Sequence, residues 1–320
     1  MVDPGRSMDR GTGRHLGVAR GLAAWAMKHR TTEALGANSD GGSLPLLQAG
    51  EGAASAASVK GEAHGTESAT APLEILYLDD QLAVVNKPAG LMVHDSALAR
   101  GETDFAADRL REQFGKPIFL VHRLDRATSG CLLLAFDRDS ASTLGKVLMS
   151  REVEKDYWAV CRGWPEASFV VDHPLDGGPG KPVKKPAITR FTRLATTEID
   201  APSAGFETSR YALLCAQPET GRFRQIRRHL KHVSHHLIGD TSHGDGRHNR
   251  NFRMRGIHRM LLHARRLAFA HPVSGARIEV TAPVDAEFAR ALALFDADAL
   301  AALDPRPRRV EFLLRLDVGE

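Results

Sequence analysis

Cysteine is scarce in this chain: there are three in 320 residues, and none belongs to a Cys-x-x-Cys pair. That spacing excludes a disulfide framework and a thiolate zinc site. Cys131, Cys161 and Cys215 each lie in an apolar strand-like run, which predicts buried free thiols. No apolar stretch approaches the ~20 residues needed to cross a bilayer, and residues 1–30 carry arginines throughout instead of a charged start followed by an apolar core. A cytoplasmic, non-membrane protein is expected. There is no His-Glu-x-x-His pattern and no internal repeat, which argues against a zinc hydrolase and against a repeat architecture.

What is present is enough for a core, since 42% of the residues are hydrophobic. They are unevenly spread. Residues 1–70 are rich in Gly, Ala, Ser and Thr and poor in large apolar side chains, a composition that predicts a disordered extension with at most a short helical turn at Leu22–Lys28. A folded domain is expected over 71–305 and a tail over 306–320. Short strands are predicted at 73–78 and 82–85, then at 157–161, 169–171, 188–194, 210–216, 265–270 and 277–281. Helical spacing occurs around Ala106, Leu110 and Phe114, around Leu144 to Leu148 with Asp139-Ser140 as the cap, and over 225–233 and 285–303. Strand runs with irregularly interspersed helices predict an α+β fold with a mixed, largely antiparallel central sheet.

Residues 122–130 read His-Arg-Leu-Asp-Arg-Ala-Thr-Ser-Gly, and apolar runs at 118–121 and 131–134 flank them. Asp125 thus sits between Arg123 and Arg126 where one buried strand hands over to another. Adjacent cations favour its ionised form, so it is read as an anion and not as an acid. The plainer reading is a carboxylate that caps a turn.

Charge is also uneven. Net charge is +4 overall, yet residues 205–270 hold 13 Lys and Arg against 4 Asp and Glu, with eight of the fifteen histidines. A concentration of this kind suits a surface that neutralises phosphates, although a solvated face would look similar. On a helix after Gly221, the residues Arg224, Arg227, Arg228 and Lys231 would share one face opposite Ile226, Leu230 and Val233. His229, His232, His235 and His236, with His243, Asp240 and Asp245 nearby, raise a metal reading that the surrounding arginines oppose. Solvated or RNA-facing histidines are expected instead. Tyr157 offers an aromatic plane for a base, whereas Trp158 suits core packing.

Five segments occur in order: Asn86-Lys-Pro-Ala-Gly-Leu, the 122–130 stretch, Glu154-Lys-Asp-Tyr-Trp, Thr220-Gly-Arg-x-x-Gln-Ile-Arg and Leu262-His-Ala. In this combination the chain resembles the RluA-type pseudouridine synthases. The resemblance implies a mixed-sheet fold with a central RNA cleft, uridine isomerisation without cofactor or metal, and Asp125 as the catalytic aspartate. It implies that Tyr157 stacks on the target base, that Arg227 pairs with Asp125 and that Leu262 forms an apolar wall. Arg123 matches an arginine that in some relatives fills the gap left by a flipped nucleotide. Arg126, Arg222, Arg224, Arg228, Lys231 and Arg247 are the further RNA contacts expected. The segment from Ile238 to Arg250 resembles the extended loop of the branch that modifies tRNA at uridine 65, which makes tRNA the expected partner of a monomeric enzyme. The alternatives are a 23S rRNA pseudouridine synthase of the same family and an RNA-binding protein that uses the basic surface without chemistry. Two positions depart from the pattern: Arg224 where histidine is usual and His236 where proline is common.

Overall fold

The structure, a computed structural model, describes residues 71–303 except 96–100, 102, 151 and 204. The extension expected over 1–70, its helical turn and the tail over 306–320 lie outside the described residues. The strands, in chain order, are β1 (Glu74–Leu78), β2 (Leu82–Lys87), β3 (Phe119–Leu120), β4 (Ser129–Ala135), β5 (Glu154–Arg162), β6 (Ser168–Asp172), β7 (Ile188–Ile199), β8 (Ser209–Pro218), β9 (Leu262–Ala270) and β10 (Arg277–Thr281). They form one sheet in the order β1-β2-β4-β9-β5-β8-β7-β6, with β3 against β4 and β10 against β9. Every pairing among these strands is antiparallel except β4 with β9. This is the α+β architecture expected from the strand pattern.

The centre of the sheet follows from burial on both faces. All seven residues of β4, Ser-Gly-Cys-Leu-Leu-Leu-Ala, are buried, so the strand reads as a continuous apolar run and not as an alternation. Its parallel contact with β9 pairs Ser129 with His263 and Gly130 with Ala264. Gly130 has φ +107°, and a Cβ there would lie 2.3 Å from the Ala264 carbonyl oxygen. Only glycine allows the two backbones to approach so closely. Along β5, alternation separates two packed clusters: Ala159, Cys161 and the half-buried Tyr157 face one way, Val160 and Trp158 the other.

Several helices differ from the sequence expectation. Helices α1 (Ala106–Phe114) and α2 (Arg138–Met149) form, but α2 is capped by Asp137, whose carboxylate accepts from the Ser140 N–H and hydroxyl at 2.7 Å, and not by Asp139-Ser140. Helix α3 (Gln225–His232) lies where it was expected. Helix α4 (Gly246–Arg253) was not anticipated, because its buried residues are His248, Asn249, Asn251 and Phe252 and so lack apolar periodicity. The single helix expected over 285–303 is two, α5 (Ala286–Leu292) and α6 (Ala297–Ala301), each begun by an aspartate cap, Asp285 and Asp296. An aspartate side chain that captures a backbone N–H three residues on favours a helix start over a helix interior. The three cysteines are free, two of them buried and Cys215 only half-buried.

Candidate active site

The turn that carries Asp125 is built before β4 begins. The Thr128 N–H donates to the Asp125 carbonyl at 3.0 Å, and Gly90 and Arg126 exchange bonds, the Gly90 N–H to the Arg126 carbonyl at 2.8 Å and Arg126 Nε to the Gly90 carbonyl at 3.0 Å. Lys87, fully buried, completes this junction. Its Nζ donates to the carbonyls of Pro88, Leu91 and Arg126 at 2.7, 2.8 and 3.2 Å. Burial pushes the amine down to about 7, with Arg259 adding to the shift, while three carbonyl acceptors match the three donors that only an ammonium presents. His122 accepts the Leu133 N–H at Nε2, and burial lowers its pKa to about 4, so it is neutral there with its proton on Nδ1.

The partner of Asp125 comes from 102 residues away: Arg227 donates Nη1 to its carboxylate at 2.7 Å. Helix α3 aims that side chain. Gln225 fixes the helix start by donating to the Ile188 carbonyl and the Thr189 hydroxyl, each at 2.9 Å, and by accepting from Thr220 and Arg222. Ile226 and Leu230 bury into the cluster that also holds Leu262 and packs against Tyr157. Arg227 itself is buried. Its Nε and Nη2 grip both oxygens of Asp240 at 2.6 and 2.8 Å, leaving Nη1 for Asp125. Burial opposes the charge on Arg227, yet the bonds to Asp240 and Asp125 outweigh it and raise its pKa. The Asp240 carboxyl is held down by the same guanidinium and by the Ser242 and His243 amides, against its burial.

Asp125 is the exposed end of this ion chain, with 29% of its side chain accessible against 7% for Arg227 and 0% for Asp240. An oriented carboxylate, supported from behind and open in front, can act on a ligand without first shedding its counter-ion. Tyr157, on β5, is raised in pKa by burial, with the Asp125 charge adding to the shift, and keeps its phenol proton at neutral pH. Leu262 at the start of β9 contributes apolar surface to the same cluster. Asp125, Arg227, Tyr157 and Leu262 therefore converge.

Three local expectations are corrected: the neighbouring arginines as partners of Asp125, the shared cationic face of the 225–232 helix and the solvation of its histidines. Asp125 bonds Arg227, whereas Arg123 is exposed and Arg126 turns its Nε to Gly90. The four cations predicted to share one face of α3 do not: Arg227 is buried beside Ile226 and Leu230, and Arg224 precedes the helix with φ +52°. Arg228 pairs with Asp176 at 2.7 Å, Arg222 donates to the Pro186 carbonyl, Arg247 lies near its own cap Asp245, and Lys231 is exposed. His229 is not solvated, since both ring nitrogens are satisfied, by the Thr189 hydroxyl and the His173 carbonyl. His235 and His236 bond backbone carbonyls, and among the described residues no group of His, Cys, Asp and Glu could hold a metal ion. Sequence reasoning gave Asp240 no role beyond a possible metal ligand and gave Lys87 none. The Ile-Gly-Asp order after a basic helix was the available signal for Asp240.

A family described as RNA pseudouridylate synthase matches residues 81–232, a span that includes Asp125, Tyr157 and Arg227. The tRNA pseudouridine synthase C of Vibrio cholerae is 42% identical over 223 residues, covering 67% of this chain and 91% of its own. Its counterpart from Yersinia pestis is 38% identical over 252 residues, covering 76% and 97%. The solved structure of human RNA Pseudouridylate Synthase Domain Containing 1 superposes with a TM-score of 0.54 at 25% identity, covering 72% of this chain and 94% of that one. Motif order, sheet topology and these relatives agree, and the chain belongs to the RNA pseudouridylate synthase family, in its RluA-type branch.

Proposed function

We propose that this protein converts a uridine of tRNA to pseudouridine, with Asp125 as the catalytic carboxylate. The observation that carries the reading is the bond from buried Arg227 to the accessible Asp125 carboxylate. The reaction breaks the bond between N1 and the ribose C1′, turns the uracil and rejoins it through C5. The C5 proton leaves to solvent and N1 gains one, so no electrons are exchanged and no cofactor is required. Three routes begin from the same anion: addition to the base, attack on the sugar, or removal of the C2′ proton. Each needs an oriented carboxylate, and the bond from Arg227 orients it.

A paired uridine is buried in a stack, so the base must leave the helix before Asp125 reaches it. Tyr157 would stack on the flipped base and Leu262 would wall the pocket. Arg123, exposed beside Asp125, would occupy the gap, while Arg126, Arg222, Arg224, Arg228, Lys231 and Arg247 would meet phosphates. One chain carries the whole Asp125, Arg227 and Tyr157 arrangement, so a monomer suffices. The likeness to tRNA-modifying relatives supports a cytoplasmic activity. The likeness to tRNA pseudouridine synthase C of two organisms supports tRNA, with uridine 65 the expected target.

The test is tritium release from RNA labelled at uridine C5. Release from tRNA isolated from cells lacking the gene supports the reading. Release from 23S rRNA fragments alone would move the substrate to ribosomal RNA, and folded protein that releases tritium from neither would refute the function.

A further inference from the structure

We infer that Asn249 is a positioning residue for the isomerisation, holding Arg227 in place through Asp240, so that α4 is part of the catalytic support. The inference rests on Asp125 and Arg227 being the working pair. Helix α4 exposes Arg247, Arg250 and Arg253 and buries His248, Asn249, Asn251 and Phe252. Burying polar side chains is costly unless they are bonded, so the partners show what the helix is held by and what it holds. His248 and Phe252 anchor it: the His248 ring is 2.9 Å from the Tyr211 hydroxyl and 3.2 Å from the Ser203 hydroxyl, and Phe252 packs edge-on to Tyr211.

Asn249 does something different. Its Oδ1 accepts the Gly239 N–H at 2.7 Å and its Nδ2 donates to the Asp240 carbonyl at 3.0 Å, so one side chain clamps the backbone on both sides of the 239–240 peptide link. The clamped turn has no slack. A Cβ on Gly239 would lie 2.1 Å from the Arg259 carbonyl oxygen, and one on Gly244 would lie 2.1 Å from the Asp240 carbonyl oxygen. The Asp240 side chain then grips Arg227, and Arg227 reaches Asp125.

Position in the sheet explains why support comes from this direction. Phe252 packs with Val160, Tyr211, Ile238 and Leu261, whereas the Tyr157 and Leu262 cluster is the other one along β5. The segment before Asp240 passes between β5 and the start of β9, with the Ile238 N–H on the Val160 carbonyl and the Leu261 N–H on the Ile238 carbonyl, each at 2.9 Å. Asn249 thus acts on the reacting side from the opposite cluster. Loss of its two bonds frees the turn by a fraction of an ångström, and misplacement on that scale is costly to an oriented catalytic group.

The experiment compares Asn249→Ala, Asn249→Asp and, as a matched control, Ser203→Ala, which loosens the anchoring of α4 at His248 without touching Asp240. Single-turnover rates are measured with saturating tRNA, and tRNA affinity separately. Asn249→Ala should lose about tenfold in rate with affinity changed less than about twofold. Asn249→Asp keeps an acceptor for Gly239 but sets a carboxylate oxygen against the Asp240 carbonyl, and should lose at least as much rate as Asn249→Ala; it is the second variant read if Asn249→Ala does not fold. Ser203→Ala should keep its rate at comparable melting temperature. A wild-type rate in both Asn249 variants, a loss confined to affinity, or an equal loss in Ser203→Ala would overturn the inference. Asp125→Ala in the same assay separates the two levels. If it is inactive while the Asn249 variants are unaffected, only this inference falls; if it is active, the assignment of the pair falls and this inference with it.

Discussion

Replacing Asp240 by alanine removes a fully buried carboxylate that accepts four donors, Nε and Nη2 of Arg227 at 2.6 and 2.8 Å and the Ser242 and His243 amides at 2.8 and 2.9 Å. Removing one partner of a buried ion pair costs roughly 3–5 kcal/mol, chiefly because the other charge is left uncompensated. Arg227 retains Asp125, so the lower end, about 3 kcal/mol, applies. At a urea dependence of roughly 2–3 kcal/mol per molar, the unfolding midpoint at pH 7 should fall by about 1 M. The pH dependence gives a second check. The folded pKa of Asp240 is depressed below its unfolded value of about 4. Its stabilisation is therefore fully present above that unfolded value and is lost as pH falls through the folded one. The gap between the unaltered protein and Asp240→Ala should shrink in acid. A difference under about 1 kcal/mol at pH 7, or one that widens on acidification, would refute the ion chain as described.

Lys87→Met strands three carbonyls that a buried amine now satisfies, and should lower the melting temperature by roughly 6–12 °C at about 3 kcal/mol; an unchanged melt would contradict the junction. Gly130→Ala must place a methyl 2.3 Å from the Ala264 carbonyl oxygen at φ +107°, and soluble expression at wild-type stability would show that β4 and β9 are not so close. Arg123→Ala should leave stability unchanged, because the side chain is exposed, and should weaken tRNA binding with a salt slope reduced by about 1. Binding unaltered at every salt concentration removes Arg123 from the interface. Dialysis against a chelator should leave tritium release intact, and loss of activity restored by zinc would revive the metal reading of the histidine cluster.

Local patterns were legible in the sequence because they depend on near neighbours. The apolar flanks of 122–130, the turn between them and the irregular succession of strands and helices all follow from short-range spacing. The pairing of Asp125 did not. Arg123 and Arg126 are adjacent in sequence, but Arg126 directs its Nε to Gly90, and the carboxylate meets Arg227 instead. Arg227 was reached through the family motif, not from the basic helix face, which wrongly grouped it with exposed, phosphate-facing cations. Asp240 and Asn249 were hidden for a related reason. Their importance lies in bonds across the turn and between clusters, and a helix that buries histidine and asparagine leaves no apolar period to read.

The most direct test of the central claim uses Asp125→Asn, which keeps the size of the side chain and an oxygen for Arg227 while removing the anion. Cells lacking the gene are complemented with either form, and pseudouridines in their tRNA are mapped while binding of purified protein to tRNA is measured. The unaltered protein should restore a tRNA pseudouridine, and Asp125→Asn should restore none although it still binds tRNA. Restoration to the same level by Asp125→Asn would contradict that claim.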